Sequence, residues 1–273
     1  MAYDAVIFDI DNVLIDTTMS FPMVIRTSLQ WIWKFYLQRN NDCIAFTMDH
    51  FRLMKSYPYF NDDYDISWIL SNIAASSENQ SLVRSFPSRE KLKEILDTFD
   101  GENLSEWVKK NFGNRVERKF VRKLCSELYY GSEIFTKISQ KTPSFVKCSG
   151  FWKAEKPFID TSWHQLKLPS GIYTGRCKYE LELALTLLGW EDFPPSLVIT
   201  ADQGICKPSS KGLEIICERL KSRNPLYFGD AESDRKSMKN LGYGTFIGIG
   251  HIMQDNPLHF ADTRTALKKL GII

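Results

Sequence analysis

Apolar positions are arranged in two different ways along this chain. Near the ends they form short unbroken runs, and through the middle they recur at helical spacing. Residues 4–10 make one run. After residue 165 the pattern returns at Ser170-Gly171-Ile172-Tyr173, Leu197-Val198-Ile199-Thr200, Leu226-Tyr227-Phe228-Gly229 and Thr245-Phe246-Ile247-Gly248. Such runs predict strands covered on both faces. Helices are expected between them over 178–189, closed by Gly189, and over 209–221, with Leu213, Ile216, Cys217 and Leu220 on one face. A third is expected over 232–241, closed by Gly242. Strand–helix alternation of this kind predicts an α/β fold with a parallel sheet and helices on both faces.

Residues 17 to about 160 carry few strand signals. Over 21–38 the residues Phe21, Val24, Ile25, Leu29, Ile32 and Tyr36 fall at helical spacing. Further helices are expected near 48–56, 63–75, 88–99, 103–111 and 115–130, several of them separated by Asn, Ser, Pro and Gly. The expected organisation is a sheet-bearing core from residues 1–16 and 165–273, with an all-helical domain over 17–164 inserted after the first strand. The aromatics Trp31, Trp33, Phe35 and Tyr36 are read as helix core rather than as the lining of a cleft.

Composition adds exclusions. Thirty-five basic residues stand against 33 acidic ones, and the basic residues are scattered. No nucleic-acid footprint or polybasic tail is expected. No apolar run approaches the roughly 18 residues of a membrane span, so no membrane partner is expected. The six cysteines, Cys43, Cys125, Cys148, Cys177, Cys206 and Cys217, form no C-x-x-C pair and no zinc spacing with histidine. They read as free thiols in a reducing compartment, and Met-Ala-Tyr-Asp lacks a basic segment or cleavage site, so a cytoplasmic location is expected.

Chemistry enters where the apolar runs stop. The first ends in Asp9-Ile10-Asp11, two acids at alternate positions that an extended backbone aims the same way. A carboxylate pair at a strand end suits a divalent cation, one aspartate can attack an electrophile, and the second can handle protons. A turn or helix cap is the structural alternative. The second segment, Thr174-Gly175-Arg176, offers a hydroxyl, close backbone approach and a charged clamp to an anion such as a substrate phosphate. The third, Cys206-Lys207-Pro208-Ser209, puts a cation at the expected start of a helix. The fourth, Gly229-Asp230-Ala231-Glu232-Ser233-Asp234, ends a strand in one acid and repeats it one helical turn on. Such an oxygen-rich set suits Mg²⁺, with Glu232 read as a helix N-terminal acid.

Taken in order, these four motifs resemble the haloacid dehalogenase (HAD) superfamily: D-x-D, a Ser/Thr, a Lys and G-D-x-x-x-D on a Rossmann-like doubly wound core. The resemblance covers about residues 1–18 and 165–273, and the insertion looks like the helical C1 cap of subfamily I. It implies Asp9 as nucleophile and Asp11 as general acid/base, with the Asp11 backbone carbonyl also on Mg²⁺. Thr174 would hold a phosphoryl oxygen with Gly175 nearby, Lys207 would neutralise charge, and Asp230 and Asp234 would complete the metal site. Asn12 stands where many members have glycine, and asparagine tolerates positive φ.

The resemblance implies a Mg²⁺-dependent phosphatase acting on a small phosphorylated metabolite through an aspartyl-phosphate. An acid at Asp11 fits ester hydrolysis better than halide release. Phosphomutase on the same core, or a non-catalytic binding protein on this scaffold, are the alternatives. Crossing points near 13–20 and 155–168 are expected to be hinges.

Overall fold

The computed structural model describes residues 3–40 and 45–273. Among the described residues, eight strands run in the order β1 (Ala5–Phe8), β2 (Ile15–Asp16), β3 (Lys156–Pro157), β4 (Ser170–Tyr173), β5 (Val198–Ile199), β6 (Pro225–Gly229), β7 (Thr245–Ile249) and β8 (His259–Phe260). Six form one sheet in the order β5-β4-β1-β6-β7-β8, all pairs parallel. The first strand is therefore internal. The chain builds outward on one side of it through β4 and β5, then crosses to β6 on the other. The strand ends of β1 and β6 flank this reversal, the place where open α/β sheets bind ligands.

Helices α1 (Phe21–Trp31), α2 (Met48–Lys55), α3 (Asp63–Ala75), α4 (Leu82–Ser85), α5 (Arg89–Leu96), α6 (Leu104–Phe112) and α7 (Arg118–Ser139) precede the second strand of the sheet. Helices α8 (Lys178–Leu188), α9 (Lys211–Leu220), α10 (Glu232–Leu241) and α11 (Thr263–Lys269) follow it. Alternation along the strands separates two apolar layers. Val6, Phe8, Ile172, Leu226 and Phe228 pack with Leu181, Ala184 and Leu185 of α8 and Ala266 and Leu267 of α11. Ile7, Tyr173 and Tyr227 pack with Leu213 and Ile216 of α9 and Met238 and Leu241 of α10. This is the doubly wound α/β sheet expected from the apolar runs.

The described residues fall into two compact units. One comprises the chain up to Thr17, Lys55–Asn61 and Glu155–Ile273; the other comprises Thr18–Met54 and Asp62–Ala154. The sequence-based division at 16/17 and 164/165 differs from this by one residue at Thr17 and in two further places. Lys55–Asn61 belongs by contacts with the sheet, and so do residues 155–164, where β3 pairs antiparallel with β2. A two-residue pairing and a short loop leave no apolar pattern to read.

The second unit is helical throughout its named elements. Every residue of α3 is buried, which explains why its apolar residues run all the way round it. Asp65 on α3 receives Arg118 Nε at 2.7 Å and Arg122 Nη1 at 3.0 Å, so its charge is paired. The helix expected over 21–38 becomes α1 followed by a π-helix, Ile32–Tyr36. Trp33 of that segment is buried, whereas Phe35 is 56% exposed. The helix α7 runs past the expected end at 130 but breaks at Gly131, with φ 71°. A side chain there would overlap the backbone of Ser149 and Gly150, so glycine permits the close crossing.

None of Cys125, Cys148, Cys177, Cys206 and Cys217 is in a disulfide, and Cys43 lies outside the described residues. Among the described residues no helix is long and apolar enough to cross a membrane.

Candidate active site

Asp9 follows β1 directly, and its N–H donates to the Phe228 carbonyl of β6 at 2.9 Å. The two strands are thus joined up to their ends, where Asp9 and Asp230 stand. Asp9, Asp230 and Asp234 are all buried, and one carboxylate oxygen of each lies within 4.8 Å of the others. Gly229 permits this crowding, since a Cβ at that position would sit 2.4 Å from Asp234 Cβ. The glycine before Asp230 is thus a steric requirement for bringing Asp234 against the strand end.

Lys207 supplies the balancing charge. Its Nζ lies 2.7 Å from Asp9 Oδ1 and 2.6 Å from Asp234 Oδ1. A helix is expected to start at this lysine, but α9 begins only at Lys211. Its ammonium is held by the two carboxylates and by the rings of Tyr173 and Tyr227, 5.5 and 5.8 Å away, rather than by an end of a helix. Asp234 is further fixed by the Tyr227 hydroxyl, which donates to Oδ1 at 2.6 Å, and by the Ala231 N–H on Oδ2 at 3.1 Å.

The electrostatics follow from this packing. Burial pushes the Asp9 carboxyl up to about 7, with Asp234 and Asp11 adding to the shift and Lys207 opposing it. Burial, and then the charges of Asp234 and Asp9, push Asp230 well above the ordinary carboxylate range, against Lys55 and Asn12. Burial alone would lower the Lys207 pKa, but Asp234 and Asp9 outweigh it and hold the ammonium above its ordinary value. Three crowded carboxylates with one ammonium between two of them resist ionising together unless further positive charge is supplied. An oxygen-only donor set of this kind fits a hard divalent cation.

Asp11 is turned toward β4. Arg176 Nε donates to its Oδ1 at 2.7 Å, and Nη2 reaches Glu155 Oε2 at 2.9 Å. Nη1 of the same guanidinium donates to the Glu180 carbonyl at 3.0 Å. Arg176, expected at the substrate, is instead a buried side chain, 1% exposed, engaged with protein groups. Thr174 is buried at the end of β4, its hydroxyl accepting the Arg176 N–H at 3.1 Å. Gly175 follows, and a Cβ on it would lie 2.9 Å from Asn61 Nδ2.

Several neighbours of this site carry no motif. Asn12, at φ 53°, donates through Nδ2 to Asp230 Oδ2 at 3.0 Å. Asn61 Oδ1 accepts from Ser233 Oγ at 3.0 Å, and Lys55 Nζ donates to the Asn61 carbonyl at 2.7 Å. Glu155 and Tyr227 complete the set. Only Asn12 was detectable beforehand, through its place next to the acid pair.

The sequence pattern of haloacid dehalogenase-like hydrolases matches residues 3–242. No curated protein matches the chain. Among solved structures, phosphatase Tt82 from Thermococcus thioreducens superposes with a TM-score of 0.64 at 20% identity, covering 98% of this chain and 99% of that one. A protein from Lactobacillus delbrueckii subsp. bulgaricus, provisionally described as a phosphoglycolate phosphatase, gives a TM-score of 0.54 at 16% identity, covering 99% of each chain. At these identities the structural likeness speaks to the fold, which agrees with the match over residues 3–242: this chain belongs to the haloacid dehalogenase-like hydrolase family.

Proposed function

We propose that the chain is a Mg²⁺-dependent phosphatase that hydrolyses a small phosphorylated metabolite through an aspartyl-phosphate on Asp9. The observation that carries this reading is the cluster of Asp9, Asp230 and Asp234 at one strand-end site, with Lys207 bridging Asp9 and Asp234. Membership of a hydrolase family and the likeness to a protein named a phosphatase support it. Small substrates are favoured because the acids are buried, out of reach of a folded protein surface.

Asp9 attacks phosphorus in line, forming the new O–P bond while the bond to the leaving oxygen breaks. Asp11 gives its proton to that oxygen. A water then attacks the aspartyl-phosphate, its proton returning to Asp11, and the Asp9–phosphorus bond breaks to release phosphate. Thr174 and the backbone at Gly175 hold a phosphoryl oxygen, and Lys207 offsets the charge gathered on the equatorial oxygens. Asp9 and Asp230 would hold Mg²⁺ with the Asp11 carbonyl; bound there, the ion acts as a Lewis acid on a phosphoryl oxygen. Asp234, already engaged by Lys207, Tyr227 and Ala231, serves to orient that set.

The test is Asp9→Asn, assayed on p-nitrophenyl phosphate and on a panel of phosphorylated metabolites. Turnover should be lost while the circular dichroism spectrum is retained. Undiminished turnover by a folded variant would remove Asp9 as nucleophile, and an inactive wild type across the whole panel would remove the phosphatase reading.

A further inference from the structure

Arg176 lies outside the chemistry just described, yet it is among the largest fully buried side chains of the molecule. A buried guanidinium is retained only where its donors are matched, because an unpaired charge in the interior costs several kcal/mol. Here the matching is specific. Nε holds Asp11 Oδ1 at 2.7 Å, Nη2 holds Glu155 Oε2 at 2.9 Å and Nη1 holds the Glu180 carbonyl at 3.0 Å. Both Arg176 and Glu155 have fully buried side chains, whereas that of Asp11 is 24% exposed. The rigid, enclosed end of this chain of contacts therefore anchors the accessible end.

We propose that Arg176, tethered by Glu155 and the Glu180 carbonyl, is a positioning residue for the Asp11 carboxylate and not a substrate contact. The inference rests on Asp11 acting as the proton donor and acceptor of the proposed phosphatase. The planar fork of arginine fixes direction as well as distance, which a lysine ammonium does not. Arg176 also bonds through its backbone N–H to the Thr174 hydroxyl at 3.1 Å. One residue thus ties the group that would manage protons to the group that would bind the phosphoryl oxygen. Its side-chain anchors come from two further places, Glu155 beside β3 and Glu180 in the first turn of α8. Asp11 lies beyond the end of β1, where its backbone bridges to Ile15. The orientation comes from across the sheet.

Leaving-group dependence separates this role from a structural one. Proton donation matters for an alkoxide and little for a nitrophenolate, and kcat/KM reads only the steps through loss of the leaving group. With metal-loaded protein, Arg176→Gln should lower kcat/KM about a hundredfold for an alkyl phosphate such as glycerol phosphate, and only a few-fold for p-nitrophenyl phosphate. Glu155→Gln should give the same pattern to a smaller degree. Arg176→Lys, which keeps the charge without the fork, should restore only part of the alkyl rate. Asp11→Asn serves as the reference, and adding Arg176→Gln to it should cost nothing further on the alkyl substrate. Equal losses on both substrates, or a rise in KM with kcat unchanged, would overturn the positioning role. If Arg176→Gln does not fold, the Arg176→Lys and Glu155→Gln ratios decide on the same criterion. A flat leaving-group response in Asp11→Asn itself would instead overturn the acid/base reading of Asp11, a result distinguishable from failure at Arg176.

Discussion

Asn12 Nδ2 donates a hydrogen bond to Asp230 Oδ2 at 3.0 Å, joining residues 218 positions apart across the ends of β1 and β6. The same side chain accepts the Thr17 hydroxyl through Oδ1 at 3.1 Å. The φ of 53° at Asn12 shows that the turn itself could be made by glycine. The asparagine therefore does more than tolerate the backbone. It steadies a carboxylate that burial pushes strongly toward the neutral form. Asn12→Gly should keep the turn and lose the bond. In the proposed metal-bound state Asp230 is ionised, and a hydrogen bond to a charged group contributes about 1.5–3 kcal/mol, so the Mg²⁺ concentration for half-maximal activity should rise about ten- to hundredfold with little change in melting temperature. An unchanged metal requirement would show that the Asn12 contact is incidental.

Much of this arrangement was legible in the sequence, for identifiable reasons. The runs at Ala5–Phe8, Ser170–Tyr173 and Pro225–Gly229 are buried throughout because both faces are covered, and each stops where a polar site begins. Gly189 and Gly242 close their helices in the left-handed conformation, as their positions foretold. The strand β8 was not legible, because His259–Phe260 is two residues long. Neither was the place of Lys55–Asn61, which lies in a helical stretch yet belongs by contacts with the sheet. Arg176 shows a different limit. Its spacing after Thr174 was visible, but the direction of a long side chain is decided by Glu155 and Asp11, which no local pattern connects to it.

Lys207 links the site to stability. It is the ammonium between two buried carboxylates, so removing it leaves Asp9 and Asp234 facing each other beside Asp230. Breaking a buried pair by deleting one partner costs about 3–5 kcal/mol, because the remaining charge is left uncompensated. Lys207→Met should therefore destabilise the metal-free protein by about that amount in urea unfolding. Lys207→Met with Asp234→Asn should recover a substantial part of it, since the surviving repulsion is smaller. A double variant as unstable as the sum of the two singles would show that the three groups are not energetically coupled.

Glu127 does a comparable job within the helical unit. Its side chain is fully buried and accepts the backbone N–H groups of Ser144 at 2.8 Å, Phe145 at 2.7 Å and Val146 at 3.2 Å. One carboxylate thereby satisfies three donors of a loop that has no ladder of its own. Glu127→Gln is nearly isosteric but turns an amide donor toward at least one of those N–H groups. The expected cost is about 2 kcal/mol, and with it a fall of several degrees in melting temperature. Proteolysis should first cut near residues 144–146 in the variant. Activity at low temperature should be retained, since Glu127 lies outside the acid cluster. Wild-type stability in Glu127→Gln would mean that water replaces the carboxylate without loss.

His50 gives the helical unit a pH response with a definite sign. Its ring is 8% exposed, packed against Phe46 and edge-on to Phe86 at 5.1 Å. The Thr47 N–H donates to Nδ1 at 3.2 Å, so Nδ1 is the acceptor and the neutral tautomer carries its proton on Nε2. Burial lowers the imidazole pKa below its ordinary 6.5; Arg89 acts in the same direction, while Asp49, Glu90 and the Pro87 backbone oppose it. The unfolded chain therefore takes up the proton first as pH falls. The stabilisation is complete above 6.5 and is lost as pH falls toward and through the lower folded-state value. A proton on Nδ1 would also set donor against donor at Thr47. Acidification from about pH 7.5 to about pH 5 should then lower the melting temperature more for the wild type than for His50→Asn, which keeps an acceptor near Nδ1 and cannot ionise. The variant should be less stable throughout because it loses ring contact with Phe46 and Phe86, so the comparison is between slopes and not between absolute temperatures. Parallel pH profiles for the two proteins would remove His50 as the source of the response.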